Sequence, residues 1–304
     1  MPMRFPESPT QVVPTTALLL VNQSARRGNS YRVDLALREL QAHELRIIQH
    51  LDCYPDDFSR LIQVYQSQVD LVIVAGGDGT LNSAIEGLVK TRLPLGILPL
   101  GTANDLARTL GISLSVPEAC RTIAEGHQRW IDLGWVNGKH FFNVASLGLS
   151  VRLTQKLTNQ AKKRWGILAY GITALRMLNQ TQPFHAAIMT NGIIQRVKTL
   201  QIAVGNGRHY GGGMTIAHDA TIDDARLDLY SLEIQHWWQV LTIPIALRWG
   251  RYGRASGIRV LSGAEFEIQT AEPCLINTDG ELSVWTPARF QVIPKAISVI
   301  VPRN

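Results

Sequence analysis

"VAGGDGTLNSAIEGL", Val74 to Leu88, decides the reading of this chain. The apolar run "DLVIVA" stops at Gly76, Gly77 and Gly79, with Asp78 set among them, and an amphipathic stretch follows. A short apolar run closed by glycine reads as a buried strand, and the stretch after it as a helix through Val89. One glycine is enough for an ordinary turn with a threonine cap. Three suit a backbone that must come close to an anion. Ligands of open α/β sheets bind outside the carboxyl ends of the strands. Gly76, Gly77 and Gly79 therefore read as a phosphate cradle, with Thr80 as helix N-cap or phosphate donor.

Two common phosphate motifs are excluded. No Lys-Ser/Thr follows the glycines, so this is not a Walker A loop. In the register Gly77-x-Gly79, Asn82 stands where a dinucleotide fingerprint needs glycine or alanine. Asp78 is ill placed beside naked phosphates and fits if Mg²⁺ lies between them. The next strand, "PLGILPLG", ends in a second such loop, "LPLGTANDLAR" (Leu98–Arg108). Gly101, Thr102, Asn104 and Asp105 are small or polar at that junction, and in a parallel sheet the two loops would lie side by side.

Working outward, strands and helices alternate from Ala17 to Gly126. "ALLLVN" and "LRIIQH" read as strands, "SYRVDLALRELQ", "DDFSRLIQVYQS", "ANDLARTLG" and "PEACRTIAEG" as helices. Apolar strands between helices indicate a mostly parallel sheet covered on both faces, a three-layer α/β domain. After about Asp132 the signals become hairpins. Asn137-Gly138, Asn191-Gly192 and Asp279-Gly280 each sit between strand-like flanks and suit type I′ turns. This half reads as a β-rich antiparallel, sandwich-like domain, with helical insertions near residues 150–179 and 235–252. The expected division is a loose tail over 1–14, an α/β nucleotide-binding domain over 15–134 plus 294–304, and a β-rich lipid-substrate domain over 135–293. The last strand, "AISVIVP", returns to the first domain.

The chain has 304 residues, a formal charge of +6 and three well-separated cysteines without a CxxC pair. The cysteines suggest neither a disulfide framework nor a zinc site, and fit a reducing cytoplasm. The first residues lack the apolar core of a secretory signal, and no apolar run approaches the length that spans a bilayer. A basic balance suits anionic partners.

"GGDGTLNSAIEGL" with "LGILPLGTANDLAR" resembles the diacylglycerol kinase catalytic domain of bacterial lipid kinases. NAD kinases and phosphofructokinases share GGDGT, but the second motif favours lipid kinases. "IDLGWVNGKHFFNVASLG", "GNGRHYGGGMTIAHDATIDDARLDLY" (Gly205–Tyr230) and "NTDGE" (Asn277–Glu281) resemble later elements of that family in the family's order. The resemblance implies an NAD kinase-like first domain with ATP over Gly76, Gly77, Asp78, Gly79, Thr80, Leu81 and Asn82. Thr102 and Asn104 line the nucleotide site, and Asn22 matches the asparagine of the family's NPxSG motif, here "NQSARRG". Asp78 and Asp105 organise Mg²⁺, and Glu281 is the base for a lipid hydroxyl in the inter-domain cleft, with Asp279 beside it. A second, structural Mg²⁺ is implied at Asp224 and the carbonyls of Thr221 and Arg226. The family has glycine where this chain has Ala225, and alanine resists positive φ, so an occupied metal loop and an altered or empty one both stay open.

The expected function is an ATP- and Mg²⁺-dependent lipid kinase, cytoplasmic and peripheral at an anionic inner membrane face, with no nucleic-acid partner. The Trp-rich stretch "IQHWWQVLTIPIALRWGRYGR" is the expected membrane contact, against a buried aromatic helix as the alternative. Diacylglycerol, phosphatidylglycerol, a sphingoid base and a polyprenol stay open as acceptors, and a homodimer stays open. The rivals are an NAD kinase or other small-molecule kinase sharing GGDGT, and a non-catalytic lipid or nucleotide sensor of the same fold.

Overall fold

The computed structural model describes residues 14–149, 151, 182–207, 209–210, 214–215, 220–233 and 257–303, with only the backbone at 23–28, 209–210, 214–215 and 283. The N-terminal tail up to residue 13, the expected helical insertions apart from residue 151, and the Trp-rich stretch lie outside them. The chain divides into two compact units, residues 1–132 with 294–304, and residues 133–293.

The first unit begins with β1 (Thr16–Asn22), α1 (Gln23–Ala42), β2 (Arg46–Cys53) and α2 (Phe58–Tyr65). It continues with β3 (Leu71–Gly76), two short helices α3 (Asp78–Asn82) and α4 (Ile85–Thr91), and β4 (Leu95–Pro99). Then come α5 (Asp105–Thr109), α6 (Val116–Glu125) and β5 (Gln128–Val136), which runs on into the second unit.

The order is β2-β1-β3-β4, every pair parallel. β1, β3 and β4 are apolar along their length because both faces are covered, and Leu18 to Leu20 and Leu71 to Val74 have no exposed surface. β2 at the edge is exposed or half-buried along its length up to the buried Cys53. Helices pack in two pairs, α1 with α6 and α2 with α4, and Gly87 of α4 lies close enough to α2 that a Cβ would meet Ile62 and Ser59 at 3.0 Å. The single helix expected after the glycines is two, broken at Ser83–Ala84.

The second unit carries β6 (Lys139–Phe141), β7 (Val144–Gly148), β8 (Phe184–Thr190), β9 (Ile193–Thr199) and β10 (Gln201–Gly205). A two-residue pair β11 (His209–Tyr210) and β12 (Met214–Thr215) follows, then β13 (Leu227–Leu232), β14 (Ile258–Gly263) and β15 (Glu265–Thr270). β16 (Leu275–Thr278), β17 (Glu281–Trp285) and β18 (Ala288–Ile300) complete the chain. One sheet has the order β14-β13-β10-β7-β16-β17, and the other runs through β18-β15-β8-β9. Their inner faces share one core that includes Leu147, Ile202, Leu229 and Ile276 from the first sheet and Ile188, Val197, Phe266 and Phe290 from the second, which is a sandwich.

The three expected hairpin dipeptides turn as their chemistry demands. Asn137, Asn191 and Asp279 have φ of 43°, 50° and 48°, each followed by a positive-φ glycine. β18 spans both units. Its first half pairs with β15, and Val299 near its end pairs with Leu95 of β4, parallel.

Candidate active site

In the first unit β1, β3 and β4 end side by side. Val21 pairs with Ala75 and Gly76 with Pro99, so Asn22, the Gly76–Gly79 turn and the Leu100–Asp105 loop share one edge of the sheet. The loops are locked together. The Leu100 N–H donates to the Gly76 carbonyl at 2.9 Å, and the Leu106 N–H donates to Asp78 Oδ1 at 3.1 Å. Asp78, from the first loop, therefore caps the helix that opens from the second. Asp105, 5 % exposed, is the first residue of that helix.

The glycines have separate reasons. A Cβ on Gly76 would fall 2.5 Å from the Thr80 side chain, and one on Gly101 2.5 Å from the Gly77 Cα. Gly77 and Gly101 are needed because the two loops touch there, and Gly76 because Thr80 of its own turn packs against it. A Cβ on Gly79 would meet nothing within 4 Å, so its missing side chain leaves open space. Packing thus accounts for glycine at positions 76 and 77, and Gly79 has no such packing reason. Thr80 is buried rather than capping, and Gly77 occupies the N-cap position. Leu81 is buried behind the loop, and the Asn82 Oδ1 is buried with no hydrogen-bond partner among the described residues.

In the second loop Asn104 adopts a left-handed conformation, φ 51°. Its Oδ1 accepts the Gly101 N–H at 3.0 Å and its Nδ2 donates to the Gly101 carbonyl at 2.9 Å. Asn104 thus shapes the loop that presents exposed Thr102. Two residues of α1 brace the same loop. The Asn29 amide reaches the Leu100 carbonyl at 3.4 Å, and the Arg32 guanidinium donates to the carbonyls of Pro99 and Leu114 at 3.2 and 3.1 Å. No pattern in the sequence signals this role, since a polar residue on a helix face reads as solvated until the neighbouring loop is placed.

In the second unit the Asp279-Gly280 turn joins β16 to β17 and is pinned from the side. Asp279 Oδ2 accepts the Phe142 N–H at 2.6 Å, and Oδ1 accepts those of Asn143 and Val144, both at 3.0 Å. Its own N–H donates to the Val144 carbonyl at 2.9 Å, and the Asn277 Oδ1 accepts the Gly280 N–H at 2.7 Å. Asp279 is thus tied to backbone through both carboxylate oxygens. Glu281, next along, is exposed at the start of β17.

The loop over residues 221–226 is also in the second unit. The Asp224 carboxylate accepts the N–H groups of Thr221 at 3.0 Å and Arg226 at 3.1 Å, and the Arg226 guanidinium stands 3.7 Å from it and 3.2 Å from Asp228. Ala225 does take positive φ, 54°, so the loop keeps its turn without glycine. Burial pushes the Asp228 carboxyl above the usual carboxylate range, against the Ser262 hydroxyl and Arg226, which hold it down. Among the described residues no three His, Cys, Asp or Glu side chains gather to hold a metal. The Arg226 guanidinium stands against the carboxylates of both Asp224 and Asp228 and would compete with a divalent ion for them.

Comparison with known proteins agrees with this layout. Residues 16–136 match the diacylglycerol kinase catalytic domain, and residues 143–301 match the YegS C-terminal NAD kinase beta sandwich-like domain. The probable lipid kinase YegS-like of Pseudomonas aeruginosa is 32 % identical over 289 residues, covering 94 % of each chain. The chain belongs to the diacylglycerol kinase/YegS-like lipid kinase family. The family is one of phosphotransferases. The diacylglycerol kinase of Bacillus subtilis is 30 % identical over 240 residues, 78 % of this chain and 79 % of its own. The crystal structure of a diacylglycerol kinase homologue from Bacillus anthracis has a TM-score of 0.82 at 26 % identity, covering 98 % of this chain and 99 % of its own. No helix among the described residues is long and apolar enough to cross a membrane.

Proposed function

We propose that this chain transfers the γ-phosphoryl group of ATP, with Mg²⁺, to the hydroxyl of a diacylglycerol-like lipid. The observation that carries the reading is the lock between the two strand-end loops, in which Asp78 of the first holds the Leu106 N–H of the second at 3.1 Å. The lock joins the turn that carries Asp78, Gly79 and Asn82 to the loop that ends at Asp105, and both an open backbone position at Gly79 and an Asn82 Oδ1 without a partner among the described residues belong to that turn. Magnesium is commonly held by one or two carboxylates together with substrate phosphates, and such a pair supports that use here. Asp78 and Asp105 would hold the ion, and Asn22, Thr102 and the Gly76–Asn82 loop would line the nucleotide. Bound there, the ion supplies neutralisation of phosphate charge, the main demand of phosphoryl transfer.

The second unit supplies the proton acceptor. Glu281 follows a turn whose backbone is fixed by the bonds to Asp279, so its carboxylate starts from a defined place. It takes the proton of the lipid hydroxyl as the oxygen attacks phosphorus. Asp279, with both oxygens committed to backbone N–H groups, acts by positioning Glu281. The membrane surface that holds the acceptor is anionic, in keeping with the chain's formal charge of +6.

The test is transfer from γ-labelled ATP into a total lipid extract, with the labelled product identified by mass and with NAD and sugar acceptors alongside. A labelled lipid dependent on Mg²⁺ and lost in Glu281→Gln supports the reading. Label in NAD or sugar only, or in none, rejects it.

A further inference from the structure

The strand registers place several features at one end of the second unit. Gly205 pairs with Asp228 on one side and Val144 on the other, Ala145 pairs with Thr278, and Asp228 pairs with Ser262. The Asp279-Gly280-Glu281 turn and the β14 terminus at Gly263 therefore lie along the same edge. They are four strand spacings apart, about 19 Å. The tip of the β8–β9 hairpin joins that edge, because the Thr190 hydroxyl donates to the Glu265 carbonyl at 3.0 Å and the Thr190 side chain lies against Gly263.

The tip has an unusual surface for a sheet end. Asn191 and Gly192 make the turn, and Ile193 and Ile194 follow it with 62 % and 61 % of their surface exposed. An edge strand facing water is ordinarily protected by charged residues near its end, not by two β-branched apolar ones. Leu282, beside Glu281 on the same edge, is also exposed. Further along β9, Arg196 and Lys198 are exposed, and no acidic residue occurs between Phe184 and Thr199. Apolar residues at a tip with long basic side chains behind them match the layering of an anionic bilayer: the isoleucines enter the acyl boundary while Arg196 and Lys198 stay at the headgroups.

We propose that the β8–β9 hairpin is a membrane-docking element, inserting Ile193 and Ile194 into an anionic lipid surface and presenting the Glu281 edge of the unit to it. The proposal rests on the lipid kinase reading only for its purpose; the docking itself is measured without turnover.

The experiment uses the full chain and vesicles of phosphatidylcholine with and without phosphatidylglycerol. Wild-type protein should sediment with the anionic vesicles and less as salt rises. Ile193→Ser/Ile194→Ser should weaken binding by about tenfold or more, and Arg196→Gln/Lys198→Gln by about thirtyfold at low salt. Thermal melts of both variants should match wild type, since all four side chains are exposed. On addition of anionic vesicles the blue shift of emission should be larger in Ile193→Trp than in wild type, whose seven tryptophans give the baseline. Phosphorylation of acceptor in vesicles should fall in the serine variant, while phosphorylation in detergent micelles should not. Unchanged sedimentation of both double variants, or an emission shift in Ile193→Trp no larger than that of wild type, overturns the proposal. So does a change from dimer to monomer with vesicle binding intact, which makes the tip a contact with a second copy. Loss of all lipid phosphorylation in micelles by wild type overturns the kinase reading instead, and leaves the vesicle result standing.

Discussion

Asp279 and Glu281 are two residues apart, and the proposed mechanism gives them different work. Asp279→Ala removes the acceptor of three backbone N–H groups at 2.6, 3.0 and 3.0 Å. Leaving such a donor without a partner costs about 1–3 kcal/mol where it is buried. Phe142 and Asn143 are 1 % and 5 % exposed, so water cannot replace every bond. The summed cost is about 3–5 kcal/mol, increased by alanine at φ 48°. For a unit of this size a loss of 1 kcal/mol lowers Tm by about 2–4 °C, giving a fall on the order of 10 °C. Asp279→Asn tolerates the same φ and keeps an acceptor oxygen for Asn143 and Val144. Its amide nitrogen then opposes the Phe142 N–H, at about 1–3 kcal/mol. Calorimetry of Asp279→Asn should therefore show a Tm about 5 °C lower, with a modest loss of kcat. Glu281→Gln should show the reverse: an unchanged Tm and a kcat lower by about 10²–10⁴-fold, with ATP affinity nearly constant. An Asp279→Asn variant that melts like wild type and has lost kcat by the larger factor would refute the anchor role and make Asp279 the proton acceptor.

Gly101→Ala sets a Cβ 2.5 Å from the Gly77 Cα and should separate the two loops, lowering both Tm and ATP affinity, whereas Gly79→Val enters open space and should lower ATP affinity alone; calorimetric titration with ATP and a melt of each distinguish the two. Ala225→Gly relieves a left-handed alanine, φ 54°, and should stabilise the protein by about 1 kcal/mol, read as a higher denaturant midpoint with the slope unchanged. Asp70 is held below the usual carboxylate range first by the Thr15 hydroxyl and then by the Thr16 N–H. A depressed folded-state value means its stabilisation is fully present above the ordinary range near 4 and is lost as pH falls through the folded value, so the Tm difference between wild type and Asp70→Asn should shrink on acidification below that range.

The parts of the fold that were legible in the sequence are those set by local chemistry. Uninterrupted apolar strands with glycine at their ends announced a covered parallel sheet, and the Asn-Gly and Asp-Gly dipeptides announced hairpins, because few other residues adopt positive φ twice in succession. The end of the cradle was legible; its interior was not. Gly76, Gly77 and Gly79 look alike in the sequence, yet Gly76 makes room for Thr80 of its own turn and Gly77 for Gly101 of the next loop. Thr80 fitted a cap by type, but the turn caps on Gly77, because a backbone extended at Gly77 starts the helix three residues earlier. Asp279 looked like a partner in chemistry because it neighbours Glu281, and its three backbone bonds reach residues well over a hundred positions away in sequence. Arg32 and Asn29 carried no pattern at all, since their partners are backbone carbonyls, which every sequence offers equally.

The course of β18 has a consequence for how the polypeptide is made. The sheet of the first unit is bordered beyond β4 by residues near the end of that strand, where Val299 pairs with Leu95. Everything between, residues 133–293, belongs to the other unit. On the ribosome the nascent first unit must therefore wait, with the open side of β4 unpaired, until the whole of the second has been translated. Unpaired strand edges of that kind invite wrong pairings. Synthesis thus passes through a long interval in which the nucleotide loops exist but the sheet that carries them is one strand short. A chaperone that shields β4 during that interval, or rapid folding of the second unit that brings the last strand home, would act on yield without touching a single residue of the active site.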